Sequence, residues 1–239
     1  VVIVSVAVAV LVGKEAFGGL GCYPFHPTAV GYAVAAVSWP EQVFSFPQPG
    51  TWLPLVDAGS AGLIQSASYT LKNGGTPRID TLNLMLGNYA GPMGATAVVI
   101  LVACALLLAV RRRIQWDAAL PFLAICFAIA WLFPRMGRVG LALPWVEAPV
   151  RLASVGYELC SGTILYTGIF MLSDPVILPR HRAARVAFGL TLGVASMLYR
   201  YYGSYETGVC FAMILVGSFA SGFDRLHLRW LDRKEALNQ

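Results

Sequence analysis

Residues 14–32 read KEAFGGLGCYPFHPTAVGY, and this stretch determines how the rest of the chain is interpreted. It contains four glycines, two prolines and a histidine, although it lies between two apolar runs, Val1–Val12 and Ala29–Trp39. A continuous membrane helix does not use this composition, since lipid offers no partner to backbone groups that leave a helix. We therefore expect either a broken helix that lines a binding site or a loop between two helices at the water interface.

The composition of the whole chain indicates a membrane protein. Its 239 residues are 57% hydrophobic and 12% charged, and the mean hydropathy is +0.67. Apolar runs that could cross or half-cross a bilayer recur along the chain, which predicts an all-α polytopic membrane protein. A single transmembrane domain is expected over residues 1–223. The chain opens inside an apolar run, so we expect a further segment upstream of Val1.

The net charge of +5 is interpreted as a sign of membrane topology rather than of nucleic-acid binding, because cytoplasmic loops of membrane proteins are enriched in Lys and Arg. If Arg111–Arg113 are cytoplasmic, five crossings after Gly94 bring ten of the 17 basic residues to the same side. These ten are Arg111, Arg112, Arg113, Arg180, Arg182, Arg185, Arg225, Arg229, Arg233 and Lys234. The polar segment 41–88 then lies on the outer side, and residues 224–239 form a cytoplasmic interfacial tail.

Helices are expected wherever apolar residues run together between Pro, Gly or charged residues. The predicted helices are Val1–Gly13, Ala29–Trp39, Gly94–Val110, Ala118–Phe133 with Asp117 as its cap, Pro149–Leu172 interrupted at Ser161–Thr163, Ala184–Tyr199 and Gly208–Phe223. A helix, a Gly-containing break and a half-helix follow one another near residues 1–40 and again near residues 118–177. This order indicates two pseudo-repeats, whose interruptions we expect to meet around a polar pocket.

Four polar or aromatic residues near these interruptions are candidates for a site. His26 could bind a ligand or relay a proton, or replace an asparagine as a buried histidine. Tyr23 could stack on a flavin or quinone ring, or anchor the chain at the interface. Asp174 ends a half-helix and could handle ions or protons, or simply cap the turn before Pro175. Glu158 is a second candidate acid, with Arg151 as its expected partner.

The sequence contains no recognisable motif for an independent catalytic site or a metal site. No nucleophile and base pair, Walker-type phosphate loop or pair of catalytic acids is recognisable, so an independent enzyme is not expected. The five cysteines are scattered singly without metal-ligand spacing, and most are expected to be packing residues. No catalytic residue and no metal site is predicted.

The stretch 14–32 resembles a family of membrane subunits that includes the D subunit of Rnf complexes and the B subunit of sodium-pumping NADH:quinone oxidoreductases. The family pattern there is similar to GK-x-x-FGG-x-G-x-N-x-FNPA-x-x-GYA. The residues in register are Gly13, Lys14, Phe17, Gly18, Gly19, Gly21, Phe25, Pro27, Gly31, Tyr32 and Ala33. Four later segments resemble the family in the same order: Leu86–Asn88 with Gly91 and Gly94, Arg112–Trp116, Gly168–Val176 (GIFMLSDPV) and Arg200–Phe211.

The resemblance implies electron transfer coupled to ion movement in a bacterial cytoplasmic membrane, with FMN or riboflavin as cofactor and other membrane subunits as partners. In the family, FMN is joined through its phosphate to a threonine in a pattern like D-x-x-S-G-A-T. Here Asp57 and Ser60 match that pattern, but Leu63 stands at the threonine and has no hydroxyl, which argues against covalent FMN. An alignment from Lys72 brings Ser66 near the attachment position instead.

The riboflavin of the sodium-pumping relatives is associated with the broken segment, so the resemblance marks Gly19, Gly21, Tyr23, His26 and Asp174 as flavin-site candidates. Tyr23 and His26 replace both asparagines of the family pattern, which removes an amide at each place. We therefore expect a divergent subunit of an Rnf- or Nqr-like complex with a degenerate flavin motif. The alternatives are a transporter or channel-like protein and a flavin-free structural subunit of a larger membrane complex.

Overall fold

The computed structural model describes residues 1–49, 63–64, 66–73, 75–77, 79–92, 94–135, 148–203, 205 and 207–237. Within these residues the chain is predominantly helical. The helices are α1 (Val2–Leu11), α2 (Pro27–Ser38), α3 (Pro40–Val43), α4 (Ala67–Lys72), α5 (Thr81–Leu86), α6 (Val98–Val110), α7 (Trp116–Leu132), α8 (Ala148–Cys160), α9 (Ile164–Ile169), α10 (Arg182–Tyr202), α11 (Gly208–Gly217) and α12 (Ala220–Leu237). Short 3-10 helices cover Glu15–Phe17 and Met171–Ser173.

The polar segment 41–88 contains more regular structure than the predicted loop. Strands β1 (Phe46–Pro47) and β2 (Leu63–Ile64) pair antiparallel, with Phe46 opposite Ile64. The short helices α4 and α5 follow, each preceded by a polar residue, Ser66 and Asp80. Such six-residue helices depend on tertiary contacts, since isolated helices of this length are marginal in water.

The core is built on the contact between α7 and α10. Ala118, Phe122 and Cys126 are fully buried along one face of α7, and Phe188 and Leu192 face them from α10. Glycines let the two backbones approach. A Cβ added at Gly189 would lie 2.4 Å from the carbonyl oxygen of Ala118, and one at Gly193 would lie 2.0 Å from Cγ2 of Ile125. Small residues at a helix crossing allow this close packing.

The first interruption, residues 12–26, joins two antiparallel helices. The hydroxyl of Ser5 in α1 donates to the carbonyl oxygen of Gly31 in α2 at 3.0 Å. Nearer the turn, a Cβ added at Gly13 would lie 3.0 Å from the Cα of Pro27. α1 and α2 are therefore a hairpin, and residues 12–26, called the first break below, form its tip.

The second interruption has a different geometry, so the two predicted repeats are not alike in structure. α8 and the run from α9 to Ser173 meet at Ser161–Thr163 with a bend of 62°. A further bend of 49° separates α11 from α12. In the described part of the chain, no single helix has both the length and the hydropathy of a membrane span. Each of these two bent pairs has both when its two helices are counted as one.

Several predicted helix limits are wrong for local reasons. α6 begins at Val98 rather than Gly94, because Gly94 is left-handed with φ of 82°. α7 begins at Trp116, so Asp117 lies in its first turn and is not its cap. The helix predicted over 208–223 ends at Gly217, where the hydroxyl of Ser218 donates to the carbonyl oxygen of Ile214 at 2.8 Å. Kinks at Gly and Ser neighbours are common.

The longer helices run between two ends of the molecule. At one end Arg185 donates to the side-chain oxygen of Gln115 at 2.9 Å, and Asp224 accepts from the backbone N–H groups of Arg180 and His181 at 2.9 and 3.1 Å. We call this end, made of residues 111–115, 173–182 and 217–229, the basic face. Seven of the ten basic residues predicted to share a side fall in these ranges: Arg111, Arg112, Arg113, Arg180, Arg182, Arg225 and Arg229.

The opposite end is called the loop face and is made of the described residues among 66–97, 133–135, 158–163 and 200–207. Here the hydroxyl of Tyr89 donates to the carbonyl oxygen of Cys160 at 2.7 Å, and Lys72 donates to the carbonyl oxygen of Gly203. α6, α7, α9, α10 and α11 alternate in direction between the two faces. The number of membrane crossings predicted from the charge pattern stays a prediction, because residues 136–147 between α7 and α8 lie outside the described residues.

Candidate functional site

Left-handed glycines shape the first break. Gly18, Gly19 and Gly21 have φ of 103°, 81° and 93°, values that a side chain rarely adopts. The space beside Gly21 is open, with no described atom within 4 Å of an added Cβ. These glycines turn the chain back after the 3-10 helix and bring Tyr23 inward, where it is buried.

Tyr23 joins the first break to the end of the second half-helix. Its hydroxyl donates to Oδ2 of Asp174 at 2.8 Å, across 151 residues of sequence. The other oxygen, Oδ1, accepts from the backbone N–H of Val176 at 3.0 Å, so Asp174 also caps its own turn. The two roles expected for Asp174, a turn cap and a site residue, are therefore compatible. The predicted meeting of the interruptions occurs at Asp174 and not at Ser161–Thr163.

A small cavity of about 230 Å³ lies where these segments meet the bend between α11 and α12. Tyr23 and Pro24 line it from the first break, and residues 176–180 line it from the segment after Asp174. Gly217, Ser221 and Asp224 close its other side. The cavity has both polar and apolar lining residues and lies toward the basic face.

His26 stands beside this region at the start of α2. It is half-buried, it precedes Pro27, and its side chain makes no capping bond to the helix. Its Nδ1 atom is buried without a hydrogen-bond partner among the described residues. A buried polar atom without a partner costs about 1–3 kcal/mol. Nδ1 of His26 is therefore a polar atom whose partner the described residues do not provide.

The residues of the covalent-flavin pattern lie apart from Tyr23 and Asp174. Asp57 and Ser60 are outside the described residues. Leu63 belongs to β2, opposite Pro47. Ser66 is buried, and its hydroxyl accepts from the backbone N–H of Tyr69 at 3.1 Å as the N-cap of α4. A hydroxyl that is buried in this way is poorly placed for esterification, so the described residues do not fit covalent FMN.

A second group of polar residues, which we call the polar cluster, lies at the loop face: Ser68, Arg135, Glu158, Ser161 and Arg200. Arg135 donates to both carboxylate oxygens of Glu158, at 2.7 and 2.9 Å, and Arg200 donates to Oε2 at 2.5 Å. Glu158 is fully buried and Arg200 nearly so. The predicted partner of Glu158 was wrong, because Arg151 donates instead to the carbonyl oxygen of Trp131 at 2.8 Å.

The polar cluster also holds α4. Arg200 donates to the hydroxyl of Ser68 at 3.1 Å and to the carbonyl oxygen of Ser161 at 3.0 Å. The hydroxyl of Ser68 in turn donates to the same carbonyl oxygen at 2.6 Å. Sequence reasoning missed Arg135 and Arg200 as partners. An arginine at the end of an apolar helix was the available signal, since such a charge requires a counter-ion when it is buried.

Tyr89 ties the segment after α5 to the same place. Its hydroxyl donates to the carbonyl oxygen of Cys160, and burial raises the pKa of its phenol above the ordinary value. Five described cysteines are free, and Cys126 and Cys210 are buried as predicted for packing residues. No group of three or more potential metal ligands occurs in the described ranges.

The sequence is similar to known proteins over most of its length. It matches the NQR2, RnfD, RnfE family over residues 1–229. A protein from Pseudomonas paraeruginosa, named as the D subunit of an ion-translocating oxidoreductase complex, is 31% identical over 235 residues, which cover 93% of this chain and 65% of the relative. Proteins of the same name from Alcanivorax borkumensis and Salmonella paratyphi A are 29% and 27% identical over 93% and 90% of this chain, and 66% of each relative is covered.

The chain thus spans about two thirds of the length of these relatives, at 65–66% of each. The family match covers nearly the whole of this chain, from Val1 into α12. It includes the first break, Asp174 and the polar cluster. The chain therefore belongs to the NQR2, RnfD, RnfE family.

Proposed function

We propose that this chain is a membrane-embedded subunit of an ion-translocating oxidoreductase complex and works beside other membrane subunits of that complex. The observation that carries the proposal is the family match over residues 1–229. Relatives named as the D subunit of such complexes support the same role. The function belongs to the complex as a whole, and this chain contributes the region around Tyr23 and Asp174 to it.

The surface of the helices supports a place in the bilayer. α1 has no buried residue, and most side chains of α6 face outward, among them Leu107 and Val110 at 69% and 81% exposed. Helices that are apolar all round are typical of membrane spans. The concentration of Arg at the basic face supports a cytoplasmic position for that end and for α12, in a bacterial inner membrane. Residues 41–88 then lie on the outer side.

The first break fits a flavin that is held without a covalent bond. Tyr23, with its ring buried, and His26, with its unpartnered Nδ1, would contact the ring system. Gly19 and Gly21 keep the backbone in the left-handed conformation that brings Tyr23 to Asp174. A bound flavin would supply the capacity to accept and pass on single electrons. The protein's own part would be to bury the ring and to hold Tyr23 in place through its hydrogen bond to Asp174.

A structural subunit without flavin is the second candidate, and a specific observation favours it. Leu63 lacks the hydroxyl of the family pattern, and Ser66 uses its hydroxyl as a helix cap. In this case the polar cluster would stabilise the structure of the loop face, to which neighbouring subunits would bind. The two candidates share the same fold and membrane position, and they differ only in whether a flavin is bound.

Isolation of the tagged chain from its native membranes tests the proposal. We expect co-purification with other membrane subunits and a flavin that is released by denaturation, while the denatured chain on a gel shows no yellow fluorescence. Purification of the chain alone, under mild detergent conditions, would overturn the role as a subunit. A fluorescent denatured band would overturn the non-covalent assignment and direct attention to Ser60 or Ser66.

A matched pair of variants separates the two candidates. His26→Ala should lose the released flavin and remain in the complex, because Nδ1 of His26 has no structural partner among the described residues. Thr28→Ala, at an exposed position two residues later, should keep the flavin. If the wild type contains no flavin and still assembles, the structural role stands in place of the flavin role.

A further inference from the structure

A cavity of about 450 Å³ lies at the basic face, and it adjoins the proposed flavin site at Asp174. Arg112, Arg113 and Gln115 line it on one side. The other side is made by Leu108 of α6, Phe170 and the run Ser173–Pro175. The cavity thus combines two guanidinium groups and an amide with apolar side chains.

Arg112 is held in an uncommon backbone conformation at this place. Its φ is 52°, and it is the one residue other than glycine with positive φ in the described part of the chain. The N–H of Arg113 donates to the carbonyl oxygen of Leu108, and that of Arg112 donates to Ala109, at 2.9 Å each. This is the helix ending that normally uses glycine. Retaining arginine there has a conformational cost, and it directs a charged side chain to the cavity.

The two guanidinium groups are available to a ligand. Neither Arg112 nor Arg113 donates a side-chain hydrogen bond to any described residue. The negative group that lines the cavity, Asp174, is already engaged on both oxygens, by Tyr23 at 2.8 Å and Val176 at 3.0 Å. Gln115 accepts from Arg185 with its oxygen, and its amide hydrogens bind no other residue that the structure describes. The cavity therefore carries an excess of donors and of positive charge, which suits a phosphate group.

The apolar part of the cavity continues onto the outer surface of α6. Leu107 and Val110, on either side of the lining residue Leu108 in sequence, are strongly exposed, and α6 packs mainly on α5 and α9 among the described elements. A phosphate bound at Arg112 and Arg113 would thus have a hydrophobic surface directly beside it. A free anion would make no contact with that surface. A phospholipid has both a phosphate group for the arginines and acyl chains for the hydrophobic surface.

We infer that this cavity binds the head group of an anionic phospholipid of the inner leaflet. The inference rests on the proposed membrane position, but it does not depend on a flavin or on partner subunits. Arg112 and Arg113 hold the phosphate, Gln115 donates to it, and the acyl chains lie along α6. Basic pockets between helices at the cytoplasmic side are a known mode of recognising such lipids.

Native mass spectrometry of the detergent-purified chain with added lipid tests this inference. We expect cardiolipin or phosphatidylglycerol to stay bound and phosphatidylcholine to dissociate. The double variant Arg112→Gly with Arg113→Gln should lose at least tenfold in affinity for the anionic lipid. Glycine is chosen at position 112 because it adopts the left-handed conformation without cost, so the backbone is preserved.

The control removes the same charge elsewhere, by Arg111→Gln with Arg229→Gln. Arg111 is in the same turn but does not line the cavity, and Arg229 is on α12. Equal loss in both double variants would show that only overall charge attracts lipid, and it would overturn the inference. Complete competition by inorganic phosphate would do the same, since the site would then take a free anion. Co-purification with partner subunits, measured separately, reports on the proposed function.

Discussion

At the scale of single residues, the polar cluster brings charged groups into the protein interior, which has a cost in desolvation. Two guanidinium groups and one carboxylate are removed from water, and every oxygen of Glu158 has at least one donor. Arg135 also lies over the ring of Tyr201, 4.6 Å from its centre. Removing one member of a buried ion pair leaves the others uncompensated. Glu158 holds the cluster together because both arginines bind to it.

The substitution Glu158→Gln should destabilise the protein by about 3–5 kcal/mol, because the buried Arg200 and the partly buried Arg135 lose their counter-ion. Thermal unfolding in detergent, followed by tryptophan fluorescence, measures the change. Glu41→Gln is the matched control, since Glu41 is exposed and makes no ion pair with a described residue. Similar melting temperatures for the two variants would contradict the central role of Glu158.

The bond between Tyr23 and Asp174 makes a second prediction at this scale. Tyr23→Phe removes the donor, and Asp174→Asn removes the charge that accepts it. A double-mutant cycle on unfolding should give a coupling free energy of about 1.5–3 kcal/mol, as is usual for a hydrogen bond to a charged group. A coupling near zero would mean that the first break and the second half-helix are held together by other contacts.

At the scale of elements, the crossing of α7 and α10 depends on the absence of side chains. Gly189 and Gly193 lie against the backbone of α7, so a methyl group has no space unless the helices separate. The neighbouring Cys126 lies in the same contact, with its Sγ 3.8 Å from the carbonyl oxygen of Gly193. Because α10 also carries Arg200 to the loop face, the crossing sets the position of the polar cluster.

Gly189→Ala should destabilise the protein by about 1–3 kcal/mol through overpacking. Gly156→Ala is the control, because it is also a glycine inside a helix but has no described atom within 4 Å of an added Cβ. That variant should be neutral or more stable by up to about 1 kcal/mol, since alanine is the better helix former. The same loss of stability in both variants would contradict the proposed contact.

Most elements and the interruption at Ser161–Thr163 could be predicted from sequence, whereas the bend between α11 and α12 could not. The apolar runs at 98–110 and 116–132 are helices as their composition indicates. The bend after Gly217 and the hairpin of α1 and α2 depend on contacts with distant residues, such as Ser5 with Gly31. In the candidate site, Tyr23 and Asp174 were recognisable as unusual residues, but their pairing across the chain has no local signal. The same holds for Ser68 and Arg200.

At the scale of the whole molecule, the helices join two chemically different ends. The basic face gathers arginines from three separate parts of the sequence, while the loop face gathers hydroxyl groups, Glu158 and the short helices α4 and α5. The first break lies toward the basic face, through its bond to Asp174. An exposed natural thiol, Cys22, lies in that break and can report on which end faces the cytoplasm.

Thiol labelling with an impermeant maleimide tests the orientation. Cys22 should react in inverted vesicles and not in intact spheroplasts, because the basic face is expected in the cytoplasm. The variant Asn73→Cys, at the exposed end of α4 and with Cys22→Ser, should react in spheroplasts. Labelling of both thiols from the same side would contradict the arrangement of the two faces across the membrane.

The contacts of α4 have a consequence for the order in which the protein is assembled. Ser68 and Lys72 are held by Arg200 and Gly203, which come 132 and 131 residues later in the chain. At a synthesis rate of about 5–20 residues per second, this delay is on the order of ten seconds. In the proposed orientation, the early-made segment crosses the membrane and waits there undocked until α10 has been translated and inserted. A ribosome that stalls before Arg200 then leaves this segment without its anchor.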